Sequence, residues 1–130
     1  MKYISMITVL VFTAVTSSLA QATPPVCGRF KTGNFLFTDS AGITWEIERG
    51  KAVQKEKNQQ SGIKIRLRIE WLDDCTYKLT QIWSSDATRK KLNNTSVTYT
   101  IISAEENMYK YRCSCADKSQ VTGTVVKQPY

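Results

Sequence analysis

Histidine is absent from all 130 residues. General acid–base catalysis near neutral pH uses histidine more than any other side chain, and histidine is also the commonest metal ligand. Its absence argues against an enzyme and against a bound metal or other cofactor. The adjacent acids Asp73 and Asp74 do not fill the gap. Neighbours in a turn diverge, whereas a working carboxylate pair converges on one substrate. No glycine-rich phosphate loop, internal repeat or low-complexity tract is present. The basic residues are spread along many segments, and long apolar stretches are missing after the first. No membrane span is therefore expected, and no nucleic-acid partner either.

That first apolar stretch has the layout of a cleavable export signal. Lys2 supplies a positive start, Ile4 to Val15 is an apolar run, and Ala20-Gln21-Ala22 offers small residues to a peptidase. Thr23-Pro24-Pro25 follows and breaks any continuing helix. The residues before Cys27 do not form the small-residue pattern needed for a lipid anchor. Residues 1–22 are thus expected to be removed, and residues 23–130 to form one domain of 108 residues. Localisation is expected to be periplasmic or extracellular, in solution. The whole chain carries a net charge of +7, and loss of Lys2 leaves the domain at +6. Four cysteines, all beyond the leader, suit an oxidising compartment and allow three full pairings.

Apolar residues fall on alternate positions through most of the domain, which is the period of a strand with one dry face. Ile63 to Trp71 is apolar at every odd position and charged at every even one. Ile43, Trp45 and Ile47 repeat the pattern, as do Tyr77 and Leu79 with Trp83 further along. Val97, Tyr99 and Ile101 form another set, followed by Tyr109, Tyr111, Cys113 and Cys115, then Val121, Gly123 and Val125. Phe35 and Phe37 fit an opening strand, and a weak one is expected at residues 51–57. Short turns rich in Asp, Asn, Ser and Gly separate these runs, among them one at Arg49-Gly50. Only Ser84 to Asn94 is longer, with one helical turn or a mobile flap expected there. About eight short strands joined by tight turns imply an all-β antiparallel up-and-down meander. Closing it into a small barrel or half-barrel buries the apolar faces together.

Three segments carry a resemblance. They are Cys27-Gly28-Arg29-Phe30-Lys31-Thr32-Gly33-Asn34-Phe35, then Trp71-Leu72-Asp73-Asp74-Cys75-Thr76-Tyr77, and finally Tyr109-Lys110-Tyr111 with Val121-Thr122-Gly123-Thr124. Together they resemble a family of small exported bacterial β-proteins without established activity, lipocalin-like in outline. Some members carry the label of a DNA topoisomerase, which this short exported chain does not support. The resemblance implies a Cys27–Cys75 disulfide. Closing that loop of 48 residues would stabilise the fold by ~4 kcal/mol in the chain-entropy model. Cys113-Ser114-Cys115 departs from the family pattern.

On one face of an extended strand, Cys113 and Cys115 are expected to have Cα atoms about 6.6–7 Å apart, at the limit for a disulfide. They read as two small core residues or a strained bridge, with a redox pair as the functional alternative.

The inward aromatics Phe35, Trp45, Trp71, Tyr77, Trp83, Tyr99, Tyr109 and Tyr111 line either a pocket for a small apolar ligand or a filled core. Lys64, Arg66 and Arg68 make an outer basic stripe that Lys78, Lys110 and Arg112 could extend on other strands. With Glu46, Glu48 and Glu70 also outward, it reads as a solvated mixed-charge face, or else as a contact for phosphates or acidic glycans. The expected role is a non-catalytic exported protein that binds a small apolar ligand in its barrel. The alternative is an interaction or inhibitor-type protein that docks another protein or an anionic envelope polymer, through the basic face or the 84–94 loop.

Overall fold

The computed structural model of the protein describes residues 25–129. The expected leader at residues 1–22 lies outside them. Eight antiparallel strands follow one another in sequence and close into a barrel. They are β1 (Gly33–Thr38), β2 (Thr44–Arg49), β3 (Val53–Asn58), β4 (Lys64–Trp71), β5 (Thr76–Ser84), β6 (Ser96–Ala104), β7 (Met108–Cys113) and β8 (Thr122–Lys127). Closure is made by β1 against β8, where Phe35 to Phe37 pairs with Lys127 to Val125. The expected meander is therefore present, and its closure removes both sheet edges.

Alternation explains most of the core. Phe35, Ile47, Ile65, Ile69, Tyr77, Leu79, Ile101, Tyr109, Tyr111 and Val125 are all buried on the inner face. β3 breaks the pattern, because its inward residues are Gln54, Glu56 and Asn58. Two irregularities modify the register. Arg66 faces Trp83 while Leu67 faces Gln81, so Ile82 is an extra residue in β5. Likewise Ile101 faces Tyr111 while Ser103 faces Lys110, which leaves Ile102 extra in β6. Each is a β-bulge, and a bulge changes which side the following residues face.

The two barrel ends are treated differently. At the end holding the β2–β3, β4–β5 and β6–β7 turns, the 3₁₀ turn Gly28–Phe30 forms a plug. Phe30 is 0% exposed, and its ring meets Tyr109 edge-on at 5.0 Å between centroids. The Cys27–Cys75 disulfide ties this plug to the β4–β5 turn. At the other end lies the longest connection, 85–95, with a single 3₁₀ turn at Arg89–Leu92. Gln81 Nε2 donates to the Arg89 carbonyl at 2.7 Å and to Asn93 Oδ1 at 2.9 Å, which ties this segment to β5.

Cys113 and Cys115 are also bonded, with Cα atoms 5.2 Å apart. This is closer than the extended spacing expected from sequence. The strand does not run through Cys115: β7 ends at Cys113, and the chain bends there. Among the described residues, no helix is long and apolar enough to cross a membrane.

Candidate functional site

The sequence leaves an apolar ligand pocket and a filled core both open, and the interior is well filled but carries a polar network. Arg49, which the sequence places in a turn, ends β2 on the inner face and is only 3% exposed. Its Nε donates to Gln54 Oε1 at 2.6 Å and its Nη1 to the Phe30 carbonyl at 2.9 Å. Its Nη2 reaches the hydroxyls of Tyr109 at 3.0 Å and Tyr77 at 3.4 Å. Those two hydroxyls bond to each other at 2.8 Å. The guanidinium also lies 4.7 Å from the ring centroids of both Phe35 and Tyr77. Burial works to lower the Arg49 pKa, but the Tyr109 and Tyr77 oxygens outweigh it and hold the group charged. Their net effect raises it above its ordinary value. A buried charge with this many donors engaged and aromatic faces around it meets the condition for tolerated burial.

Gln54 passes the network on, donating from Nε2 to Glu56 Oε1 at 2.7 Å. Burial raises the Glu56 pKa, against the opposing pull of Gln54, Arg49 and Arg89. Burial likewise pushes Tyr77 well above its usual value and Tyr111 up to about 12, so the phenols stay protonated. Tyr77 stacks on Tyr99 at 5.2 Å, and Tyr99 meets Tyr111 edge-on at 5.1 Å. The space these side chains leave is about 60 Å³, bounded by Arg49, Gln54, Glu56, Tyr77, Tyr99 and Tyr111 among others. That is room for a few waters, not for a lipid.

Seven of the eight expected lining aromatics face this interior. Phe35, Tyr77, Tyr109 and Tyr111 surround the Arg49 network, with Tyr99 stacked beside them. Trp71 packs on Tyr77 at 4.8 Å, under the Lys31 ammonium. Trp45 closes the other end, with the Arg89 guanidinium 4.9 Å above its ring. Trp83 is the correction. It is 36% exposed and faces outward, because the Ile82 bulge moves it to the opposite side of β5. Sequence reasoning missed Arg49, Gln54 and Glu56. The one signal available was that Arg49 continues the alternation of Trp45 and Ile47.

Outward-facing Trp83 joins a second, larger feature. A groove of about 790 Å³ runs across the outer wall over β1 to β5. The wall of a twisted barrel is hyperboloid, so its waist is concave along the strands. Lys55, Lys57, Lys64 and Arg66 line the groove, with Glu46 and Glu48 on its β2 side and Trp83 at its β5 end. The register sets Lys55 directly opposite Arg66 and Lys57 opposite Lys64. Like charges placed this way are destabilising. Glu48 and Glu46 face Lys55 and Lys57 in register. None of the four cations has a carboxylate within ion-pair distance, however. Ion pairs form elsewhere, between Lys78 and Glu70 at 2.9 Å and between Lys31 and Asp74 at 3.7 Å. Glu70 therefore serves Lys78 rather than the basic stripe. Lys110 and Arg112 lie on β7, away from β3 and β4, and do not extend it. The Arg66 guanidinium covers the Trp83 ring at 4.8 Å from its centroid.

Comparison with known proteins finds no family model, no curated protein and no solved structure that matches this chain.

Proposed function

We propose that this chain is an exported, non-catalytic binding protein that docks an anionic envelope polymer built of acidic sugars along its outer β2–β5 groove. One observation carries the reading. The facing pairs Lys55/Arg66 and Lys57/Lys64 lie without ion-pair partners in a groove of about 790 Å³. A polyanion laid between β3 and β4 would relieve the repulsion these pairs create. Trp83, held by Arg66, adds a flat apolar face of the kind a sugar ring stacks on. The interior weighs against the small-ligand alternative, since the cavity beside its polar network measures about 60 Å³ and is lined by Arg49 and Glu56. Export is part of the proposal, supported by two disulfides and by the leader-like N-terminus. Membership among the small exported bacterial β-proteins, with a lipocalin-like barrel, fits the same picture.

The test is titration with polygalacturonate, with neutral dextran as the control, followed by tryptophan fluorescence. Binding is expected for the polyanion alone. It should weaken at least tenfold between roughly 50 and 300 mM salt, as the screening length shortens. The double variant Lys57→Glu/Lys64→Glu should weaken it at least tenfold at low salt. Salt-independent binding, or an unchanged affinity in the variant, would overturn the proposal.

A further inference from the structure

The two disulfides do unequal work. Cys27–Cys75 closes a separation of 48 residues, whereas Cys113–Cys115 closes a separation of 2. In the chain-entropy model the constraint grows with the logarithm of loop length, so the second bond restricts the unfolded chain little. Neither end of a long segment is tied by it. Its place in the fold points to another use.

The sheet beside it is half-built. Across β6 and β7, Tyr99 faces Cys113 and Thr100 faces Arg112. The next rung would join Thr98 and Ser114. Only one of its two backbone bonds is present, from Ser114 N–H to the Thr98 carbonyl at 2.9 Å. The Thr98 N–H instead donates to Ser114 Oγ at 3.0 Å. A side-chain hydroxyl thus stands in for the Ser114 carbonyl as the acceptor for this amide. With Cα atoms 5.2 Å apart, the bridged residues are closer than the about 6.6–7 Å of an extended strand. The sequence, read without the bond, continues the inward alternation Tyr109, Tyr111, Cys113, Cys115. The alternation thus describes an extended segment, whereas the bridged residues are drawn together.

We infer that Cys113–Cys115 is a thiol–disulfide exchange site that accepts two electrons from an external dithiol or from two thiols, and that its reduction lets β7 extend through Cys115. Cys115 is the half-buried partner and Cys113 the buried one, so attack falls on Cys115 Sγ. A donor thiolate forms a bond to that sulfur, the Cys113–Cys115 bond breaks, and Cys113 leaves as thiolate. A second donor thiolate then attacks the donor sulfur of the mixed disulfide and releases Cys115 as thiolate. The donor pair leaves as its disulfide, and its two protons end on Cys113 and Cys115. One equivalent is exchanged per chain. The site lies at the β7–β8 end of the barrel and is independent of the β2–β5 groove.

The experiment equilibrates the full chain in glutathione buffers of graded ratio, then traps thiols by alkylation and maps them by mass. Cys113 and Cys115 are expected to become labelled in buffers at least tenfold less reducing than those that label Cys27 and Cys75. Near-UV dichroism should stay native across that window. In the Ser114→Ala variant the stand-in acceptor of the bent form is gone. The couple should then reduce several-fold more readily, and Cys27–Cys75 should be unaffected. Hydrogen exchange at the Thr98 amide should slow on reduction. The inference is overturned if both disulfides open together, if Cys113–Cys115 opens only as the fold melts, or if Ser114→Ala makes its reduction harder.

Discussion

Glu56 sits near two guanidinium groups and is still harder to ionise than a free carboxylate. Burial outweighs the help from Gln54, Arg49 and Arg89. Its folded pKa therefore lies above the unfolded one, and between the two values the native chain holds more protons. Stability linked to this group is fully present below the unfolded pKa and is lost as pH rises through the folded value. Glu56→Gln removes the charge and keeps an oxygen to accept from Gln54 Nε2. The variant should match the parent below about pH 4, where a normal carboxylate is protonated. It should become progressively more stable than the parent as pH rises toward neutrality. Urea unfolding at several pH values measures the difference. An offset that is the same at every pH would show that the effect comes from packing and not from ionisation. Arg49 obeys the opposite logic. Its charge is met by Gln54, by the Phe30 carbonyl and by two tyrosine hydroxyls, so it organises the core that surrounds it.

At the scale of elements, one glycine decides how β7 and β8 meet. Gly123 faces Tyr111 across the pair, and the Tyr111 side chain lies over it. A Cβ added there would fall 2.4 Å from the hydroxyl oxygen and 2.6 Å from the ring carbon bearing it. Gly123→Ala must displace the ring that packs on Phe37 and Tyr99, which should cost about 1–3 kcal/mol by overpacking. In a Tyr111→Leu background most of that cost should vanish, and a double-mutant cycle by urea unfolding checks it. An equal cost in both backgrounds would assign the effect to the backbone. The alternation that places Tyr111 here was plain in the sequence, as were β1, β2, β4, β6 and the order of the meander. Pattern fails where the inner face is polar or the register slips. β3 reads as weak because Gln54, Glu56 and Asn58 point inward. Their burial is made possible by Arg49, a contact between strands that no local pattern encodes. Trp83 is misplaced because the extra residue Ile82 leaves no mark on composition or spacing. That same slip moves a tryptophan onto the outer groove, so the proposed binding face was half-visible: its cations were legible and its aromatic was not.

For the molecule as a whole, the question is what keeps an eight-stranded barrel of this size closed at the end where its core network lies. The plug Gly28–Phe30 supplies the buried Phe30 ring and the carbonyl that Arg49 requires. A turn of three residues has little hold of its own, since the short helix gains few backbone bonds for the freedom it loses. The Cys27–Cys75 bond removes much of that loss by keeping the plug beside the β4–β5 turn even when the barrel opens. Its loop length assigns it ~4 kcal/mol, a large part of the ~5–15 kcal/mol typical for a domain. Cys27→Ala/Cys75→Ala should therefore lower the thermal midpoint by roughly 15–30 °C, the shift such a loss produces in a domain of about 100 residues. The same substitution at Cys113 and Cys115 should lower it by less than half as much, because the loop it opens is so short. Calorimetry of the two double variants beside the parent measures both shifts. If they come out equal, loop closure is not what the long disulfide contributes, and the plug is held by the packing of Phe30 and the Arg49 bond alone. If they differ as expected, loop closure by the long bond is what steadies the barrel, and loss of the short bond costs the fold little.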